Sequence, residues 1–241
     1  MQLYQCANDG SGPSACQGPA PQLWPFSSVF ARVSAVEGRK TIVKSAVFLD
    51  RDGTLSREIG YVNHVDNLEL LPAAAEGLRR LRRSGFALVV ATNQAGAARG
   101  YFPLDYIEKA QRRLVDLFEA EGVEFDGLYV CPHHPSSSLP ELRRDCDCRK
   151  PKPGLILRAA SELDIDVGRS YVIGDKYTDV ETAHRAGARG VLVLTGYGRG
   201  ELEHFGRGWP RPPDAIAGDL IEAAEWILRD AGRIGAPTGT R

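Results

Sequence analysis

Net charge is what this sequence lacks: 30 Lys and Arg stand against 31 Asp and Glu, leaving a formal −1. A balance so near zero argues against broad attraction to nucleic acid or to a membrane surface. Long hydrophobic runs are missing too, and no stretch approaches the length that spans a bilayer. The N-terminus shows no basic segment followed by a continuous apolar core, so no secretory signal is read and the cytoplasm is the expected location. No internal repeat is found. What is present, 43% hydrophobic and 25% charged residues over 241 positions, suits a soluble globular protein with one substantial core, or one core with an extension.

Residues 1–40 differ from the rest. The stretch from Asn8 to Pro25 is rich in Gly, Pro, Ser and Ala, with Trp24 and Phe26 isolated among prolines. Such a segment buries too little apolar surface to offset its ordering entropy, so it is expected to be a flexible extension. Val29 to Val36 is a weak candidate for an adhering segment. A disulfide between Cys6 and Cys16 is one alternative; a reducing compartment favours two free thiols. The expected organisation is a flexible extension over 1–40, a catalytic domain over 41–232 and a flexible tail over 233–241.

The apolar run Ala46-Val47-Phe48-Leu49 ends abruptly in Asp50-Arg51-Asp52-Gly53-Thr54-Leu55. This reads as a buried strand that delivers carboxylates to its C-terminal tip, where open α/β sheets place ligands. Asp50 and Asp52, two apart on an extended chain, project to the same side. One could attack phosphorus while the other moves the proton. The same residues also suit a strand that simply ends in an acidic turn. Further along, helices are expected over Pro72–Ser84, Leu104–Glu121, Gly154–Leu163, Asp179–Ala186 and Leu220–Leu228, with strands over Phe86–Ala91, Phe125–Val130, Tyr171–Ile173 and Val191–Leu194. Strands alternating with helices predict an α/β fold, a parallel sheet with helices on both faces and all strand tips at one edge. The arginines Arg79, Arg80, Arg82 and Arg83 read as a solvated helix face, with Leu78 and Leu81 inward.

The ordered blocks Asp50-Arg51-Asp52-Gly53-Thr54, Thr92-Asn93, Lys150 and Gly174-Asp175 with Asp179 resemble the haloacid dehalogenase superfamily. With Gly60-Tyr61-Val62, Cys131-Pro132-His133-His134-Pro135, Cys146-Asp147-Cys148-Arg149-Lys150-Pro151-Lys152-Pro153-Gly154 and Ile173-Gly174-Asp175-Lys176, the chain is similar to the heptose bisphosphate phosphatases, whose nearest relatives are the histidinol-phosphate phosphatases. The resemblance runs from about Ala46 to the region of Gly198. It implies a Rossmann-like sheet of haloacid dehalogenase type with a minimal cap and a zinc-stabilised loop.

It also implies roles. Asp50 is expected as nucleophile and Asp52 as general acid and later base, with Thr92 and Lys150 also catalytic. Magnesium is expected on Asp50, the backbone carbonyl of Asp52 and Asp175, hard oxygen donors that suit this cation. Asp175 could instead be a helix N-cap, and Asp179 could brace the site or cap a helix. Lys152 rivals Lys150, which matches the family position. Substrate contacts are expected from Glu58, Ile59, Gly60 and Tyr61 in a flap, from Thr92, Asn93, Gln94 and Ala95, and from Arg149, Lys150 and Lys176. Arg149 and Lys176 could bind the phosphate that is not cleaved. Ser56 stands where the family usually has Asn, a mild departure.

Cys131, His133, Cys146 and Cys148 supply three thiolates and an imidazole, a closed set suited to structural zinc. His133 is preferred over His134 by the resemblance alone, and reduced cysteines on a surface loop are the plain alternative. The expected function is removal of the C7 phosphate of a heptose 1,7-bisphosphate by a monomeric enzyme. Its rivals are histidinol-phosphate hydrolysis and a zinc-stabilised binding module without catalysis. No nucleic-acid or membrane partner is expected.

Overall fold

The computed structural model describes residues 44–233. The expected N-terminal extension, Cys6, Cys16, the segment from Val29 to Val36 and residues 234–241 lie outside the described residues. The order of elements is β1 (Ala46–Leu49), α1 (Ala74–Arg83), β2 (Ala87–Asn93), α2 (Tyr106–Ala120), β3 (Gly127–Cys131), α3 (Gly154–Leu163), β4 (Tyr171–Gly174), α4 (Tyr177–Ala186), β5 (Arg189–Val193), α5 (Gly198–Phe205), β6 (Ala215–Ala217) and α6 (Leu220–Asp230). Six strands form one parallel sheet in the order β3-β2-β1-β4-β5-β6. The chain runs outward from β1 in one direction through β3, then returns to β1's other side with β4. That reversal puts the crevice of the sheet beside the tips of β1 and β4.

Alternation along the strands sorts the core into two layers. Val47 and Leu49 of β1 pack with Leu88, Val90 and Ile173 under α1, α2 and α6. Ala46 and Phe48 face the other way, against Leu155, Ile156 and Ala159 of α3 and Ala183 of α4. Both faces of the sheet are therefore covered, as the near-continuous apolar strands require. The described residues include no helix long and apolar enough to cross a membrane.

Two elements escaped the sequence. Helix α5, Gly198-Arg199-Gly200-Glu201-Leu202-Glu203-His204-Phe205, has two glycines and buries only Gly198. Strand β6 has three residues and exists by pairing Val191–Val193 with Ala215–Ala217. The arginine face of α1 is also more than solvated. Arg80 reaches Glu225 on α6 at 2.7 Å, and Arg82 reaches Asp126 ahead of β3 at 2.7 Å. These half-exposed pairs tether neighbouring elements while contributing little each.

Candidate active site

The tip of β1 fixes the first carboxylate. Asp50 donates its backbone N–H to the Ile173 carbonyl of β4 at 3.0 Å, and the next residues fold into a tight turn in which Ser56 and Leu55 donate to the Arg51 carbonyl. Gly53 in this turn has φ of +80°, and a Cβ there would lie 2.1 Å from Asp175 Oδ2. Gly196 packs against the same carboxylate, where a Cβ would lie 2.3 Å from the same oxygen. Asp175 thus lies against two bare stretches of backbone, and any side chain at either glycine would displace it. The Tyr197 amide donates to Asp175 Oδ2 at 2.9 Å.

Asp50, Asp175 and Asp179 are all buried and bring carboxylate oxygens within 4.8 Å of one another. Lys150 is buried among them, with Nζ 2.8 Å from Asp50 Oδ1, 2.6 Å from Asp179 Oδ1 and donating to the Ala91 carbonyl at 2.8 Å. Burial alone would push Asp50 up, but the Lys150 charge and the Thr92 hydroxyl more than reverse this, so its carboxyl sits below the ordinary range. Burial lowers the Lys150 pKa, and the Asp179 and Asp50 charges outweigh it and hold the ammonium charged. Asp179 is pushed up by burial despite Lys150. Asp175 is raised from 3.8 to about 8 by burial and then by the Asp50 and Asp179 charges. Its Oδ1 is buried with no hydrogen-bond partner. The oxygens of Asp50 and Asp179 also lack a well-aligned hydrogen bond, but each lies against an ammonium, so Asp175 holds the orphaned oxygen. Three carboxylates with one lysine leave an excess of negative charge that a hard cation would relieve.

Asp52 is held at the edge of this group by its own set of contacts. Arg51 grips it through Nε to Oδ1 at 2.9 Å and through a terminal nitrogen to Oδ2 at 2.8 Å, while Gln94 Nε2 donates to Oδ2 at 2.9 Å and to Thr92 Oγ1 at 3.1 Å. Ser56, the family departure, donates its hydroxyl to Asp52 Oδ1 at 3.3 Å. Thus the Asp52 carboxylate lies outside the three-carboxylate group, linked to it through Gln94 and Thr92, and Asp179 takes the third place. Asp179 also accepts the Lys176 amide at 3.2 Å, so it braces the site and caps α4 at once.

Two of the expected substrate residues make internal contacts. Asn93 exchanges two hydrogen bonds with the backbone of Lys150, at 3.1 and 3.2 Å, and so holds the lysine loop to the tip of β2. Ala95 is buried against Ala97, Ala98 and Ile107. Lys152 pairs with exposed Asp145 at 2.7 Å, which leaves Lys150 as the lysine of the site. In the flap, Glu58 Oε2 lies 3.3 Å from Lys176 Nζ, Ile59 and Gly60 are exposed, and Tyr61 stacks on Tyr101 at 4.3 Å. The flap residues Glu58, Ile59 and Gly60 line a cleft of about 480 Å³ with Gly196 and Tyr197. Arg51, Gly196 and Tyr197 were missed by the sequence reading, because each acts through a fold contact that no local pattern announces.

Beyond β3, Cys131 Sγ lies 3.5 Å from Cys146 Sγ and 3.7 Å from His133 Nδ1; Cys148 Sγ lies 3.2 Å from Cys146 Sγ and 3.3 Å from His133 Nδ1. The thiols are free, and these separations match the edges of a small tetrahedron of metal donors. Hydrogen bonds from Cys131, against the cost of burial, bring the Cys148 thiol down to about 5. His134 lies outside this group, with Nε2 2.9 Å from Arg99. The cluster sits on the sheet through Cys131, whose carbonyl accepts the Gln94 amide at 2.8 Å.

Known proteins bear on this arrangement. A family profile described as HAD-hydrolase-like matches residues 147–223. A relative from Escherichia coli (strain K12), named D-glycero-beta-D-manno-heptose-1,7-bisphosphate 7-phosphatase, is 41% identical over 183 residues, covering 76% of this chain and 87% of its own. One from Thermosynechococcus vestitus, a D-glycero-D-manno-heptose-1,7-bisphosphate 7-phosphatase, is 40% identical over 76% of this chain and 95% of its own. Among solved structures, a D,D-heptose 1,7-bisphosphate phosphatase from B. bronchiseptica, complexed with magnesium and phosphate, superposes with a TM-score of 0.67 at 30% identity, covering 77% of this chain and 99% of that one. A D,D-heptose 1,7-bisphosphate phosphatase from Burkholderia thailandensis gives a TM-score of 0.56 at 26% identity over 77% of this chain and 99% of its own. With its fold, its buried carboxylates and relatives at this identity over most of their length, the chain belongs to the HAD-like family of D-glycero-D-manno-heptose-1,7-bisphosphate 7-phosphatases.

Proposed function

We propose that this enzyme removes the C7 phosphate of D-glycero-D-manno-heptose 1,7-bisphosphate, leaving heptose 1-phosphate for the synthesis of activated heptose and surface glycans. The observation that carries the reading is the ionised, buried Asp50 held between Lys150 and Thr92 at a strand tip. An Asp50 oxygen attacks phosphorus as the bond from phosphorus to the C7 oxygen breaks, and Asp52 gives that oxygen its proton. Asp52 then takes a proton from water, whose oxygen attacks phosphorus and frees Asp50 with inorganic phosphate. Thr92 and Lys150 bind the phosphoryl oxygens, and Lys150 offsets the charge that shifts between them. The names of the relatives support the substrate.

Asp50, the Asp52 backbone carbonyl and Asp175 would hold magnesium, and the partnerless Asp175 Oδ1 fits such a cation. When bound, magnesium lessens the repulsion between Asp50 and the phosphate. Cys131, His133, Cys146 and Cys148 would hold zinc, pinning the loop that carries Arg149 and Lys150. We read the enzyme as a cytoplasmic monomer. Phosphate release from both anomers of heptose 1,7-bisphosphate, measured beside histidinol phosphate, tests the function. Turnover of histidinol phosphate equal to or above that of the bisphosphate would reject it.

Two consequences concern the metals. Elemental analysis should find about one zinc per chain. Cys146→Ser or chelation should lower both melting temperature and activity, by releasing the Lys150 loop; a zinc-free chain of full stability and activity would end the assignment. The magnesium effect should depend on pH through Asp175. A carboxyl raised to about 8 in the folded state stabilises the fold at low pH and loses that contribution as pH rises through 8. Magnesium takes up the ionised form, so its gain in melting temperature should grow between about pH 6 and about pH 8. A gain that stays flat across that window would remove Asp175 from the cation's ligands.

A further inference from the structure

Tyr197 stands between two glycines that have no room for a side chain. Gly196 takes φ of +52°, and a Cβ there would lie 2.6 Å from the Cα of Gly53 as well as against Asp175. A Cβ on Gly198, at the start of α5, would lie 1.8 Å from the Val193 carbonyl oxygen. The Tyr197 amide is committed to Asp175 Oδ2 at 2.9 Å. The backbone of Tyr197 thus serves the carboxylates, while the residue stays 49% exposed and lines the cleft. Ile59 and Leu71 line the same cleft, and Ile59 is 44% exposed. Charged groups here answer one another: Glu58 lies 3.3 Å from Lys176, and Arg57 lies 3.3 Å from Glu69. Open aromatic and aliphatic side chains with a few polar groups at hand make a site for a small organic molecule rather than for an ion.

We infer that the Tyr197 ring is a stacking platform for the carbon skeleton of the substrate's sugar, and that with Ile59 it sets the preference for a sugar phosphate. This rests on the proposed function and names the residue that recognises the part of the substrate bearing no phosphate. The position of the cleft identifies its occupant. Asp50 and Asp175 bring their oxygens within 4.8 Å of each other, and Asp175 accepts the Tyr197 amide. Whatever a phosphate at Asp50 is joined to therefore has this cleft beside it. Sugar carbons present C–H bonds of slightly positive charge, which suit the negative face of an aromatic ring, while the hydroxyls are left for Glu58 and Lys176. Lys176 Nζ, 4.4 Å from the ring centre, covers only part of Tyr197, since half of the residue stays exposed.

The test measures KM for heptose 1,7-bisphosphate beside the inhibition constant of inorganic phosphate, which occupies the reaction centre and carries no carbon. The chains compared are wild type, Tyr197→Ala, Tyr197→Leu, Tyr197→Phe, Lys176→Gln and Tyr197→Ala with Lys176→Gln. In Tyr197→Ala, KM should rise about fivefold to thirtyfold and the inhibition constant much less, because alanine keeps the amide that Asp175 uses. Tyr197→Phe should stay close to wild type. Tyr197→Leu, which keeps apolar bulk without a π face, should fall between them, and it carries the test if the alanine variant folds poorly. Adding Tyr197→Ala to Lys176→Gln should raise KM again by a similar factor. An unchanged KM in Tyr197→Ala, or an equal rise in the inhibition constant, overturns the inference. So does a double variant no worse than Lys176→Gln, which would show that the ring only holds the lysine. In each case wild-type turnover leaves the substrate standing. A wild-type chain that hydrolyses no bisphosphate overturns the substrate, and this inference with it.

Discussion

Asp50→Asn should give a folded chain with no measurable multiple turnover. A neutral amide is a poor nucleophile for phosphorus and a weak partner for a hard cation, so both contributions of the residue vanish together. The fold should not suffer, because the substitution removes one charge from three crowded carboxylates. Lys150 keeps Asp179 at 2.6 Å and the Ala91 carbonyl at 2.8 Å. The melting temperature without magnesium should therefore stay close to that of wild type, since relief of repulsion at Asp175 acts against the lost ion pair. Circular dichroism and phosphate release on the same preparation check both halves. Near-normal turnover, with contaminating phosphatase excluded, would refute a covalent route through Asp50.

Lys150→Met should be worse for the molecule as a whole, costing activity and stability at once. Removing the ammonium leaves Asp50, Asp175 and Asp179 buried together with no cation of their own. Breaking a buried charge pair in this way costs about 3–5 kcal/mol, or a fall of roughly 6–20 °C in melting temperature for a chain of this size. The cost comes from the orphaned carboxylates rather than from lost packing, because Met fills much of the lysine's volume. Adding Asp179→Asn should therefore recover part of the stability and none of the activity. A double variant as unstable as Lys150→Met would show that the lysine works through packing or through the loop it ends.

The sequence disclosed those parts of the site whose chemistry is local. A strand ending in Asp50 and Asp52, and another ending in Gly174-Asp175, each announce a ligand edge within a few residues. The Cys131, His133, Cys146 and Cys148 set rested on the family resemblance as well as on its spacing, with His133 chosen by the resemblance alone, and the distances gather all four. What stayed hidden depends on contacts between distant residues. Gly196 matters because it passes 2.6 Å, at the position of a Cβ, from the Cα of Gly53. Asp52 needed the fold too: residue spacing places it beside Asp50, but buried Arg51 draws its carboxylate aside. Helix α5 and strand β6 were missed because neither carries an apolar period of its own.

The reversal of strand order at β1 and β4 has a consequence for how the enzyme comes into being. Asp50, Asp52 and Thr92 belong to the first half of the sheet, whereas Asp175, Asp179 and the Tyr197 amide belong to the second. A ribosome makes these in order, so the nucleophile emerges long before the backbone that closes over Asp175. A nascent chain ending ahead of Gly196 should hydrolyse nothing, however well its first three strands have come together. Competence arrives late in synthesis and all at once, and no shortened product of the gene that stops within β5 can act as a lesser phosphatase.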